Sequence, residues 1–188
     1  MVLGSISPRR KELLQKMDLE FTVDSVDIDE SIPADIDPVQ AAVFLAREKA
    51  KALQNKYRDH ILLTADTVVA LDGILFGKPA DRAEATDMLK KLSGKEHLVV
   101  TGICLMYNGT IKTDSDSSSV TFNTLTDSEV QYYVDRYKPF DKAGGYGIQE
   151  WIGSTCISGI KGSYFNVMGL PVEKVYTLLK NMSWLTYY

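Results

Sequence analysis

The stretch Ile61-Leu-Leu-Thr-Ala-Asp66-Thr-Val-Val-Ala-Leu71-Asp-Gly-Ile-Leu-Phe-Gly-Lys-Pro79 decides the fold. Ile61 to Ala65 is a short apolar run, read as a buried strand. Val68 to Leu71 and Ile74 to Phe76 are two more, separated by Asp72-Gly73, a pair suited to the left-handed backbone of a two-residue hairpin. Helical patterns flank this strand-rich block. Before it, Val39, Val43, Ala46, Ala50 and Leu53 recur at helical spacing and predict a helix from Pro38 to about Lys56, with Lys49 at the edge of its apolar stripe. After it, Asp81-x-x-Glu84 reads as a capping box that opens a helix stopped by Gly94. Strand-like and helix-like segments alternate in this way along most of the chain, which predicts an α/β fold.

Further out, Ser7 and Pro8 suit the cap and first position of a helix running to about Met17. Leu98 to Tyr107 and Thr110 to about Phe122, joined by Asn108-Gly109, read as a longer hairpin. Thr126-x-x-Glu129 caps a helix carrying Val130, Tyr133, Val134 and Tyr137. Gly144, Gly145 and Gly147 read as a flexible loop, and Pro171 starts a last helix with Val172, Val175, Leu178 and Leu179 on one face. Residues 1–182 read as one domain, followed by a tail at 183–188.

The whole chain has 188 residues, 45 % hydrophobic and 24 % charged, with a net charge of −4. That charge argues against a protein that coats duplex nucleic acid or an anionic membrane, both of which need a dense basic surface. It leaves room for a small anionic ligand. No apolar run approaches the roughly 20 residues of a membrane span, and no signal peptide opens the chain, so the cytoplasm is expected. Cys104 and Cys156 lack metal-ligand or disulfide spacing and read as buried, reduced thiols. His60 and His97 show no metal-ligand spacing and read as structural or surface residues.

Four segments can carry chemistry. In Ser5-Ile-Ser-Pro-Arg9-Arg10, two arginines occupy the first turn of a helix, where cations oppose the dipole and anions dock readily. A bound phosphate resolves that conflict, and so does plain solvation. Asp66, between two apolar runs, reads as a metal ligand or general base at a strand end, or as a turn aspartate. Lys78, in Gly77-Lys78-Pro79, projects from a tight backbone as a phosphate contact or a solvated lysine. It is no P-loop, since the spacing is absent. In Asp141-Lys-Ala-Gly-Gly-Tyr-Gly-Ile-Gln149, glycines permit close approach to a ligand. Gln149 can pair with a pyrimidine edge that shows a carbonyl beside an N–H. The alternative is a mobile surface loop.

These segments occur in one order with further blocks: A-R-E-K-A at Ala46, L-S-G-K-x-H at Leu92, V-T-G at Val100 and G-S-Y-F-N-V-M-G-L-P at Gly162. Together they resemble the Maf family of nucleoside triphosphate pyrophosphatases along nearly the full length. The resemblance implies a three-layer fold of the Maf and ITP-pyrophosphatase type, with a mixed central sheet and a central cleft, in a homodimer. It implies a nucleoside triphosphate substrate and a divalent cation, Mg²⁺ or Mn²⁺. By the same resemblance Asp66 is the general base. Ser5, Arg9, Arg10, Lys49 and Lys78 hold the triphosphate, and Glu30 joins Asp66 in holding the metal. Arg9, Thr67 and Gln149 look like the branch that takes dTTP and UTP. Two other readings stay open: the same chemistry on 7-methyl-GTP, and a nucleotide-binding regulator of septum formation and cell division without turnover. Gly4 stands where the family usually has alanine, and the N-terminal strand is shorter than usual.

Overall fold

The computed structural model describes residues 1–33 and 36–184. In chain order it forms β1 (Val2–Gly4), α1 (Pro8–Gln15), β2 (Thr22–Asp24), α2 (Pro38–Leu53), β3 (Leu62–Leu71), β4 (Ile74–Phe76) and α3 (Arg82–Leu92). There follow β5 (Glu96–Tyr107), β6 (Thr110–Phe122), α4 (Asp127–Tyr137), a single 3-10 turn (Ala143–Gly145), α5 (Trp151–Cys156), β7 (Ile157–Lys161), α6 (Tyr164–Met168) and α7 (Val172–Asn181). The seven strands form an open, mixed sheet in the order β2-β1-β3-β5-β6-β7, with β4 beside β3. The α/β expectation holds. Among the described residues no helix is long and apolar enough to cross a membrane.

The chain divides into two compact units, the first made of 1–66, 101–116 and 169–188 and the second of 67–100 and 117–168. In the first, β1 pairs in parallel with both β2 and β3. Its core gathers Val2, Ala46, Ala50, Leu53, Leu62, Cys104 and Met106. Ser7 caps α1 by accepting the Arg10 N–H, and Asp37 caps α2 by accepting the Val39 N–H at 2.8 Å. In both helices proline takes the first position, where no N–H is needed.

The α2 stripe differs from the expected one. Val39 and Val43 are only half-buried, while Ala41, Ala42 and Leu45 are buried. The reason is close approach. A Cβ on Gly102 of β5 would lie 2.4 Å from the Ala42 carbonyl carbon and the Val43 nitrogen. Where helix and strand come this near, α2 presents the small Ala42, while the larger Leu45 and Leu53 are buried elsewhere along the helix.

In the second unit, β4 pairs antiparallel to β3 with Leu71 opposite Ile74. Asp72 and Gly73 take φ of 52° and 79°, the left-handed pair that the turn needs. Thr126 and Glu129 complete their capping box on α4. At α3 the box is half formed: Asp81 accepts the Glu84 N–H, but the Glu84 carboxylate takes the Ala80 N–H instead. The core includes Val69, Phe76, Leu89, Phe122, Tyr133, Tyr146 and Ile152. Gly144, Gly145 and Gly147 are buried, which corrects the flexible loop expected there. Gly144 and Gly145 have φ near 70°, and a Cβ on Gly144 would sit 3.0 Å from Val69 Cγ2. The glycines serve a left-handed backbone packed on the core. Of the expected tail, residues 185–188 lie outside the described residues.

Candidate active site

Asp66 was expected at a strand end. It lies instead within β3, a continuous ten-residue strand. The polar Thr64 and Asp66 do not break the strand, because both find partners on α2. Thr64 and Asp66, two residues apart, face the same way. Thr64 Oγ1 donates to the Ala46 carbonyl at 2.6 Å, and the Asp66 carboxylate accepts from Lys49 Nζ. The two partners, Ala46 and Lys49, are three residues apart on α2, about one helical turn.

Lys49 joins two carboxylates. Its ammonium bonds Asp66 and also Glu30 Oε1, the latter at 2.8 Å. The lysine side chain is 13 % exposed and that of Asp66 9 %, so this pairing is largely withdrawn from water, whereas Glu30 stays 42 % exposed. Glu30 sits in the irregular chain between β2 and α2, so one cation joins a carboxylate of that segment to a carboxylate of β3.

Ser5 follows β1 and is buried; its Oγ accepts the Ser7 N–H at 3.3 Å and Arg10 Nη1 at 3.2 Å. Arg10 Nε donates to the Gly169 carbonyl at 2.8 Å, tying the first turn of α1 to the segment ahead of α7. Burial pushes the Arg10 guanidinium below its ordinary range; Asp66 and Glu30 act the other way, and Arg9 acts with burial. No acidic residue occupies the first turn of α1. Arg9 is half-buried in that turn. The first unit therefore brings Ser5, Arg10, Glu30, Lys49 and Asp66 into contact or mutual electrostatic reach. Thr67, Lys78 and Gln149 belong to the second unit: Thr67 half-buried, Lys78 and Gln149 exposed. The Gly77 carbonyl accepts the Gly144 N–H at 3.0 Å, which joins the Lys78 turn to the glycine-rich segment.

A family model described as Maf-like protein matches residues 1–182. The chain belongs to the Maf-like protein family. A relative from Porphyromonas gingivalis named dTTP/UTP pyrophosphatase is 51 % identical over 96 % of this chain and 93 % of its own length. Proteins of the same name from Parabacteroides distasonis and Phocaeicola vulgatus are 50 % and 48 % identical, covering 96 % and 97 % of this chain and 95 % of their own lengths.

In this Maf-like chain no group of three His, Cys, Asp or Glu side chains able to hold a metal occurs among the described residues. Glu30 and Asp66 supply two carboxylates around one ammonium. Cys104 and Cys156 are buried free thiols, and burial pushes the Cys104 thiol up to about 11. His97 is buried too, its Nε2 2.7 Å from the Tyr146 hydroxyl. The sequence reading placed Tyr133 on the helix capped by Thr126 and missed its polar partners. A fully buried tyrosine, however, has a hydroxyl that needs a partner, and that is the signal that could have found them.

Proposed function

We propose that this Maf-like protein hydrolyses dTTP and UTP to the nucleoside monophosphate and pyrophosphate. The observation that carries the reading is the meeting of Asp66, Lys49 and Glu30 at one point of the first unit, with Ser5 and Arg10 bonded to each other in the same unit. The names of the relatives supply the substrate.

A triphosphate carries about four negative charges near neutral pH, so it needs cations held in place before it arrives. Arg9 and Arg10 offer planar forks suited to phosphate oxygens, at a helix start whose N–H groups favour anions. Ser5 offers a hydroxyl beside them. Lys49 has three N–H donors, two of which serve Asp66 and Glu30. Asp66 orients a water molecule towards the α-phosphorus and takes its proton. The new bond forms from that water oxygen to the α-phosphorus, the α–β bridging bond breaks, and the electron pair leaves with pyrophosphate. In the second unit the same reading gives Lys78 to phosphate, and Thr67 and Gln149, with Arg9, to the choice of pyrimidine.

The donor chemistry fits a divalent cation. Two carboxylates are what a small hard ion such as Mg²⁺ takes from a protein, the rest of its shell coming from water and substrate phosphate. Glu30 and Asp66 would hold it, and when bound it would neutralise charge on the phosphates. A cytoplasmic location and a homodimer belong to the same proposal; the buried, unpaired thiols of Cys104 and Cys156 support the location.

The test is a panel of dTTP, UTP and 7-methyl-GTP, each with Mg²⁺ and with the metal chelated. Pyrophosphate release from dTTP and UTP, abolished by chelation, is expected. Preference for 7-methyl-GTP moves the protein to another substrate, and absence of release from all three leaves a nucleotide binder.

A further inference from the structure

Tyr133 is fully buried in α4, with its ring stacked on Tyr137 at 5.0 Å between centroids. If packing were its sole task, phenylalanine would serve without a polar group to satisfy. Its hydroxyl instead accepts the Gly147 N–H at 2.9 Å and donates to Glu150 Oε2. The other oxygen of that carboxylate takes Lys142 Nζ at 3.2 Å, and Lys142 is itself buried and bonded to Asp141 at 2.7 Å. The Glu150 N–H donates to the Gly147 carbonyl at 3.1 Å and closes the turn. The carboxylate lies folded over the glycine: a Cβ on Gly147 would come within 2.8 Å of Glu150 Cδ.

Gln149 is exposed inside this turn, between the two residues that one buried hydroxyl holds. The turn is anchored again at Tyr146, whose hydroxyl meets His97. We infer that Tyr133 and Glu150 are positioning residues that fix the aim of Gln149 and thereby the selectivity for a uracil or thymine ring. This rests on the reading above that Gln149 meets the base. A side-chain amide discriminates between bases only if its donor and acceptor ends are held in register, and a turn free to rotate would present either end.

Tyr133→Phe keeps the ring and removes the two bonds; Glu150→Gln keeps the shape and removes the charge facing Lys142. Both are measured in two ways. Amide hydrogen exchange of residues 144–149 is followed in the nucleotide-free protein, and kcat and KM are measured with UTP and with CTP. Faster exchange is expected, with KM for UTP raised about 3- to 10-fold, kcat within about twofold, and a smaller UTP-to-CTP preference. Exchange and preference both unchanged in Tyr133→Phe would overturn the inference. So would an equal fall in kcat for both nucleotides with KM unmoved, the mark of a general structural role. Wild-type protein that hydrolyses neither dTTP nor UTP sinks the functional reading and the role of Gln149 with it, while the exchange data still decide whether Tyr133 pins the turn.

Discussion

Lys49 of α2 donates a hydrogen bond to Asp66 of β3, seventeen residues further along the chain, and the same ammonium reaches Glu30 Oε1 at 2.8 Å. Two carboxylates so near each other repel, and a cation shared between them offsets that repulsion. The arrangement holds two acidic groups and one cation together in one place.

Lys49→Met removes the shared cation. Turnover on UTP is expected to fall by about 10²–10³, the usual cost of losing one preorganised charge contact in an active site. Steady-state pyrophosphate release in saturating Mg²⁺ measures this, with circular dichroism to check the fold. Turnover within a few-fold of wild type would remove Lys49 from the chemistry.

Gly102→Ala acts at a distance from the carboxylates but on the helix that carries Lys49. Its Cβ would meet α2 backbone at 2.4 Å, so helix and strand must part. Overpacking of this kind costs about 1–3 kcal/mol, or a drop of several degrees in Tm for a chain of this size. Ala42→Gly is not expected to restore it, because the clash is with main-chain atoms. Thermal melts of the single and double variants decide the point.

His97 gives the stability a pH dependence. Burial holds its imidazole down at about 4, with Glu96 acting in the other direction. Between about 4 and the ordinary value near 6.5, the unfolded chain binds a proton that the folded one refuses. Stability contributed by this site therefore rises with pH through that window and falls on acidification, by on the order of 3 kcal/mol across it. His97→Phe, which keeps a ring against Phe122, is expected to lose less Tm than wild type between pH 7 and pH 5. Parallel losses in the two proteins would contradict the assignment.

What could be read in the sequence was local. Ser7 before Pro8, Thr126 with Glu129, and the turns at Asp72-Gly73 and Asn108-Gly109 act through their own backbone and take the expected form. β3 could not be read as one strand, because its passage through Asp66 depends on partners in α2. β7 escaped because its residues are mostly exposed and show no apolar alternation; its place is set by pairing with β6. The candidate site residues were named by kind through the family motifs, but their partners were hidden by distance. Arg10 is held by the Gly169 carbonyl 159 residues away, and the polar partners of Tyr133 leave no periodic trace.

The most direct test of the account is pyrophosphate release from UTP by Asp66→Asn, an almost isosteric change that removes the proposed base. The expected result is a correctly folded protein whose release rate is lower by about 10²–10⁴. Release at close to the wild-type rate would contradict it.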